Sequence, residues 1–226
     1  FIGAHEWHKK GIDIPQLDGK IHVPFGVFSP LRGEYLDLIT QAPLAPHIQT
    51  AFDIGTGSGV IAAILAKRGI PDIIATDTNP KAIACATANL ERLSLDKAVN
   101  IQSIDLFPES CADLIVCNPP WLPAKPTSAI ETALYDPNHA MLTAFLNGVR
   151  QHLNPNGEAW LIISDLAEHL HLRNKDFLNQ CFQTASLNVV DILKTKPQHK
   201  KAIDESDPLA FARNKETTYL YRLKAI

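Results

Sequence analysis

The sequence predicts a doubly wound α/β fold. Its sheet is mostly parallel and seven-stranded, covered by helices on both faces, with an antiparallel C-terminal strand. Three observations predict it. Short, near-continuous apolar runs alternate with helical periodicity from about residue 50. The first such run ends in a glycine-rich turn that leads straight into a helix. The last two runs have no helical pattern between them, which suits an antiparallel edge.

The elements follow in order. Residues 1–45 are rich in Pro and Gly and carry little periodicity. They read as a leader, a loop or short hairpin packed on the main domain, with a helix near Gly33 to Thr40. The main domain spans residues 46–226. Thr50 to Ile54 is the first strand, and Val60, Ile61, Ile64 and Leu65 share one face of the helix after it. Gly69 and Pro71 stop that helix. Ile73 to Asp77 is the second strand. Asn79-Pro80 starts a helix, because Pro at the first helical position forfeits no hydrogen bond. Ile83, Ala86, Leu90 and Leu93 line its inner side.

Ala98 to Ile104 and Ala112 to Cys117 are the third and fourth strands. Asp136-Pro137 opens a helix with Met141, Leu142, Phe145, Leu146 and Val149 inward. Asn154-Pro155-Asn156-Gly157 reads as a turn before a fifth strand at Ala159 to Ser164. A helix around Lys175 to Ser186 precedes two late strands, Asn188 to Leu193 and Thr217 to Leu223.

Composition narrows the function classes. The 226 residues hold 21 Lys plus Arg against 24 Asp plus Glu, a net charge of −3 that gives no chain-wide basic surface. Hydrophobic residues at 46% and charged residues at 20% exclude a disordered or fibrous chain. No apolar run approaches the roughly 18 residues of a membrane helix, and the start is no secretory signal. Cys85, Cys111, Cys117 and Cys181 match neither a disulfide framework nor a zinc spacing. Reduced thiols in a cytoplasmic protein are expected, with no metal site. The chain does not begin with Met, so a segment is expected upstream of Phe1.

Asp53-Ile54-Gly55-Thr56-Gly57-Ser58-Gly59 is the strongest local motif. Glycines at alternate positions let a ligand approach the backbone. A dinucleotide fingerprint needs Gly-x-Gly-x-x-Gly, and Val60 stands where its last Gly belongs. That departure argues against a nicotinamide dehydrogenase. It suits an amino-acid-bearing nucleoside whose ammonium Asp53 could attract. Asp77 ends the second strand, where a carboxylate can accept both ribose hydroxyls. Asp105 follows the third strand, within reach of an adenine amine, with Leu106 against the ring. Each Asp alone is equally an ordinary helix cap. Three at successive strand ends after a glycine turn favour a nucleoside site.

Asn118-Pro119-Pro120-Trp121 follows the fourth strand directly. The prolines stiffen the segment and remove ladder donors. Asn118 then offers a carbonyl and an amide at the sheet's carboxyl edge. Trp121 offers a flat apolar face for a planar amide or base.

With these motifs the chain resembles the class I S-adenosylmethionine-dependent methyltransferases, and within them the group whose Asn-Pro-Pro-aromatic motif serves methylation of planar nitrogens. The resemblance covers roughly residues 23–226. It implies a Rossmann-like fold and S-adenosyl-L-methionine as cofactor. It implies that Asp53, Gly55, Thr56, Gly57 and Gly59 hold the methionine part, Asp77 the ribose, and Asp105 and Leu106 the adenine. Asn118, Pro119, Pro120 and Trp121 would orient the acceptor nitrogen, with Asn118 also beside the cofactor.

Tyr135-Asp136-Pro137 is similar to the Tyr-Glu-Pro segment of release-factor glutamine methyltransferases. Ser29-Pro30-Leu31-Arg32-Gly33-Glu34 sits where those enzymes carry a Pro- and Glu-containing loop. Pro24 to Ser29 looks like the entry segment of small-domain methyltransferases acting on ribosomal RNA guanines. Trp121 stands where the glutamine enzymes have Tyr. The implied acceptor is a macromolecule: a protein glutamine amide of a translation factor or ribosomal protein, or else an exocyclic amine of adenine or guanine in rRNA or DNA. The group often carries a recognition domain ahead of the catalytic one. Lys194, Lys196, His199, Lys200 and Lys201 cluster between the last two strands and read either as a solvated loop or as a contact for RNA phosphates.

Overall fold

Strand β3 (Thr50–Ile54) lies inside a seven-stranded sheet, third from one edge, and its side chains after Thr50 are buried on both faces. The computed structural model describes residues 9–30, 33–123, 136–198 and 210–226. On one side of β3 lie β4 (Asp72–Asp77) and β5 (Val99–Ser103), both parallel to it. On the other lie β6 (Ala112–Cys117) and β7 (Leu153–Ser164), also parallel. The sheet ends with β9 (Thr218–Ala225) and then β8 (Leu187–Thr195), giving the order β5-β4-β3-β6-β7-β9-β8. The order reverses at β3, and the crevice beyond a reversal point is where open α/β sheets bind ligands.

Strand periodicity divides the core into two layers. Leu114, Val116, Trp160 and Ile162 face one helical layer, made of α1 (Glu34–Gln41), α2 (Val60–Lys67) and α3 (Pro80–Arg92). Ile115, Cys117, Leu161 and Ile163 face the other, made of α4 (Ala140–His152) and α6 (Phe177–Thr184). Between β7 and α6 runs the single turn α5 (Leu166–His169).

The segment before β3 contributes to the first layer. A small hairpin of β1 (Ile12–Ile14) and β2 (Gly19–Ile21) buries Ile14, Leu17 and Ile21 there. Asn89 on α3 ties this segment to the glycine turn. Its amide donates to the His22 carbonyl at 3.1 Å and the Ser58 carbonyl at 2.9 Å, and its Oδ1 accepts from His22 N–H at 2.8 Å. A buried amide with its groups so satisfied joins two loops that no sequence pattern connects.

Three expectations change. β9 is antiparallel, but it lies inside the sheet, and the parallel strand β8 forms the edge. Leu220 and Leu223 on β9 are fully buried, whereas β8 is largely exposed, Val190 and Ile192 included, so the strand that buries less takes the edge. A short helix, α7 (Ala210–Arg213), stands between these two strands. The Asn154-Pro155-Asn156-Gly157 turn belongs to β7 itself. Leu153 pairs with Ala112 and Glu158 with Leu114, so the segment loops out as a bulge.

Gly59, which ends the glycine turn, has φ +83°, and a Cβ there would meet Ala86 Cβ at 3.0 Å and Ala86 Cα at 3.1 Å. It is the point where α2 starts against α3. Gly59→Ala combines a left-handed backbone cost with overpacking. It is expected to lose about 1–3 kcal/mol of stability. Urea unfolding checks this through a lower midpoint at unchanged slope.

Candidate active site

Register alone brings the motifs to one edge. Ile54 pairs with Thr76 and with Cys117, and Asp77 pairs with Ser103. The next residue along three parallel strands is therefore Gly55, Asp77 and Asn118, side by side at the carboxyl end of the sheet. A cavity of about 1100 Å³ opens above them. Gly55, Thr56, Gly57, Asp77, Asp105, Leu106, Asn118, Pro119, Pro120 and Trp121 all line it.

Asp53 and Gly59 are not among the lining residues. Asp53 is 1% exposed and works behind the turn: its Oδ2 accepts from Thr56 Oγ1 at 2.7 Å and from Ala62 N–H at 3.1 Å. Burial pushes its carboxyl up to about 7, against the opposing effect of those two donors. Its Oδ1 is buried with no hydrogen-bond partner. Gly59 packs on α3, as described above.

The turn is shaped around space. Gly57 has φ +55°, and a Cβ there would meet nothing within 4 Å, so a side chain would project into open volume. Gly57 N–H donates to Asp77 Oδ2 at 3.0 Å, and Asn79 N–H donates to Asp77 Oδ1 at 2.9 Å. Asp77 thus bridges the glycine turn and the start of α3. Each carboxylate oxygen keeps further acceptor capacity.

Leu106 holds φ +57°, rare for a branched residue. Thr76 Oγ1 donates to its carbonyl at 2.7 Å, and Thr76 carbonyl accepts from Thr56 N–H at 2.8 Å. This buried threonine sets the spacing between the glycine turn and the Asp105-Leu106 wall. Its only signal in the sequence is a hydroxyl that ends the apolar run Ile73-Ile74-Ala75 just before Asp77.

On the opposite wall, Trp121 Nε1–H donates to Asn118 Oδ1 at 2.8 Å. Trp121 meets Tyr35 of α1 edge-on, with ring centroids 6.1 Å apart and planes at 87°. Burial and the nearby Asp53 push the Tyr35 hydroxyl well above its usual range. Nothing in the sequence marked Tyr35 beyond its place in an amphipathic helix. Asp136 anchors the far end of the motif. Its N–H donates to the Leu122 carbonyl at 2.6 Å, and its carboxylate accepts from Met141 and Leu142 N–H at 2.8 and 3.0 Å. Tyr135, Leu31 and Arg32 lie outside the described residues.

β8 runs parallel to β7, since both are antiparallel to β9. Its C-terminal connection therefore emerges at the cavity, and Lys196 lines it together with Arg213 and Glu216. His199, Lys200 and Lys201 lie outside the described residues.

The site fits an amino-acid-bearing nucleoside on its own geometry. Gly57 leaves room against the backbone, Asp77 offers two carboxylate oxygens, and an orphaned Asp53 Oδ1 stands behind the turn. Fold and cavity together define a Rossmann-like domain with a nucleoside-type site at the carboxyl edge of its sheet. The chain belongs to the methyltransferase small domain family, whose sequence pattern matches residues 19–191.

Among similar proteins is the release factor glutamine methyltransferase of Cereibacter sphaeroides, 34% identical over an alignment of 140 residues that covers 55% of this chain and 50% of that one. The protein of the same name from Rhodopirellula baltica is 31% identical over 182 residues, 73% of this chain and 60% of that one. The tRNA1(Val) (adenine(37)-N6)-methyltransferase of Cytophaga hutchinsonii is 34% identical over 131 residues, 54% of each. The chain spans about half the length of such relatives. A ribosomal protein L11 methylase from Lactobacillus delbrueckii subsp. bulgaricus shares the fold, with TM-score 0.60 and 17% identity over 92% of this chain and 86% of that one.

Proposed function

We propose that the protein is an S-adenosylmethionine-dependent N-methyltransferase that methylates a planar nitrogen of a macromolecule, leaning to a protein glutamine side-chain amide. The observation that carries this reading is the alignment of Asn118 with Gly55 and Asp77 on one sheet edge, facing one cavity. Several matching relatives are named release factor glutamine methyltransferase, which supports the leaning. One is named for tRNA adenine methylation, and Lys196 at the cavity keeps an exocyclic base amine as the second reading. The site of action we propose is the cytoplasm, on components of translation, because matching relatives are named for release factors and a ribosomal protein.

When bound, the cofactor supplies an electrophilic methyl group on a sulfonium. Gly55, Thr56 and Gly57 would hold its methionine part, with Asp53 drawn to the ammonium from behind the turn. Asp77 would hold the ribose, and Asp105 and Leu106 the adenine. An amide nitrogen is a poor nucleophile because its lone pair is delocalised. Asn118 Oδ1 and the Pro119 carbonyl would accept the two N–H hydrogens of the acceptor and turn the lone pair toward the methyl. Pro119 and Pro120 keep these acceptors rigid, so the rate gain comes from positioning and preset dipoles. The acceptor proton leaves to water after transfer, without a dedicated base.

Methyl-labelled cofactor given to the protein with purified release factors and, separately, with total RNA tests this reading. Label in a glutamine side chain is the expected result. Label in RNA alone would replace glutamine with a base amine, and label in neither would reject the proposal.

A further inference from the structure

We propose that Trp121 acts through its indole N–H, as a positioning residue that fixes the orientation of the Asn118 amide, and not chiefly as a stacking surface. The inference rests on the N-methyltransferase reading and deepens it at the same site.

The two ends of an asparagine amide are nearly equal in shape and opposite in hydrogen-bonding sense. A flip of Asn118 would turn its –NH2 toward an acceptor –NH2, donor against donor, and the acceptor nitrogen would lose its orientation. Something must therefore select the flip that presents Oδ1. Trp121 Nε1–H does so, donating to Oδ1 at 2.8 Å from three residues along the same rigid segment. Indole N–H is a donor only, so the opposite flip would face it with a second donor. The carbonyl oxygen keeps a second lone pair for the acceptor.

Trp121 is itself held in place. It is partly buried and packs against both core layers. Its edge contact with Tyr35 ties it to α1, and the Asp136–Leu122 hydrogen bond holds the backbone just after it. A ring locked on several sides is poorly placed to swing out as a platform, but well placed to aim one N–H.

Trp121→Phe removes the donor and keeps an aromatic ring for packing. Turnover with the release-factor substrate is expected to fall about tenfold or more, with cofactor Kd within twofold. Coupling with Asn118 separates positioning from packing. If Trp121 acts through Asn118, adding Trp121→Phe to Asn118→Ala costs almost nothing further. A loss that adds in full to that of Asn118→Ala would overturn the proposal.

A second readout needs no turnover. The indole N–H resonance of Trp121, assigned by its disappearance in Trp121→Phe, should move upfield in Asn118→Ala. The Trp160 indole, which donates to Glu158 Oε1 at 2.7 Å, should stay. A Trp121 signal unmoved by Asn118→Ala would refute the hydrogen bond and the inference with it, leaving the proposed function intact. Absence of methyl transfer by the unsubstituted chain would instead reject the function, and the role given to Trp121 would fall with it.

Discussion

Asn118→Ala is expected to lower turnover by about 100-fold or more while cofactor affinity stays within a few-fold. The asymmetry follows from where the side chain sits. Asn118 follows Cys117 at the end of β6, which is 0% exposed and paired with Ile54 and Leu161, so the backbone that carries it is anchored by the sheet. Removing the amide should leave that backbone in place. The glycine turn, Asp77 and the Asp105-Leu106 wall are held by Thr76, Asn79 and the Asp53 network, none of which passes through the Asn118 side chain. Cofactor binding therefore has little reason to change. The acceptor nitrogen, by contrast, loses the carbonyl that orients its lone pair, and only the Pro119 carbonyl remains. Isothermal titration with cofactor and single-turnover transfer would separate the two effects. Parallel losses in both would show that Asn118 holds the turn and not the acceptor. A second-site cost is also expected: Trp121 loses the partner of its indole N–H, so a small drop in melting temperature should accompany the kinetic loss.

Much of this site was legible because it is built from short, ordered pieces. Parallel strands of similar register place successive strand ends on one edge, so a glycine turn, Asp77 and Asn118 could be assembled from spacing alone. Asp53 and Gly59 show the limit of that logic. Both belong to the same turn as Gly57, yet one faces the interior behind it and the other faces α3. Motif position specifies the turn, and the pitch of the backbone through it decides which residues meet the cavity. Tyr35, Thr76 and Asn89 were not legible, because their roles depend on contacts between elements distant in sequence: Tyr35 with Trp121, Thr76 with Leu106, Asn89 with His22 and Ser58. The place of β9 inside the sheet was missed for a similar reason. An antiparallel last strand is visible as a pattern, but whether it or β8 takes the edge depends on which of the two buries more apolar surface.

The second large effect is expected at Asp77, and it should fall on binding. Asp77→Ala is expected to weaken cofactor affinity by about 100-fold, with turnover at saturating cofactor within a few-fold of the unsubstituted chain. Two losses combine. The carboxylate now accepts from Gly57 N–H at 3.0 Å and Asn79 N–H at 2.9 Å, and alanine leaves both donors without it. Hydrogen bonds to a charged group are each worth roughly 1.5–3 kcal/mol, less where water can replace them. The glycine turn should then relax, since Gly57 has no side chain to hold its left-handed backbone in place. The ribose contact disappears as well. About 2.7 kcal/mol in total corresponds to the 100-fold change, which is within reach of one lost ligand contact and a loosened turn. Asp77→Asn discriminates between the two causes. Its amide oxygen can still accept one backbone N–H, while its –NH2 opposes the other, so the turn is half restored and the ribose contact is weakened. An affinity between those of the unsubstituted chain and the alanine variant is expected. Calorimetry that finds Asp77→Ala binding as tightly as the unsubstituted chain would remove Asp77 from the cofactor site. Because Asn118 hangs from a different strand, the two substitutions together should show independent losses, affinity from one and turnover from the other.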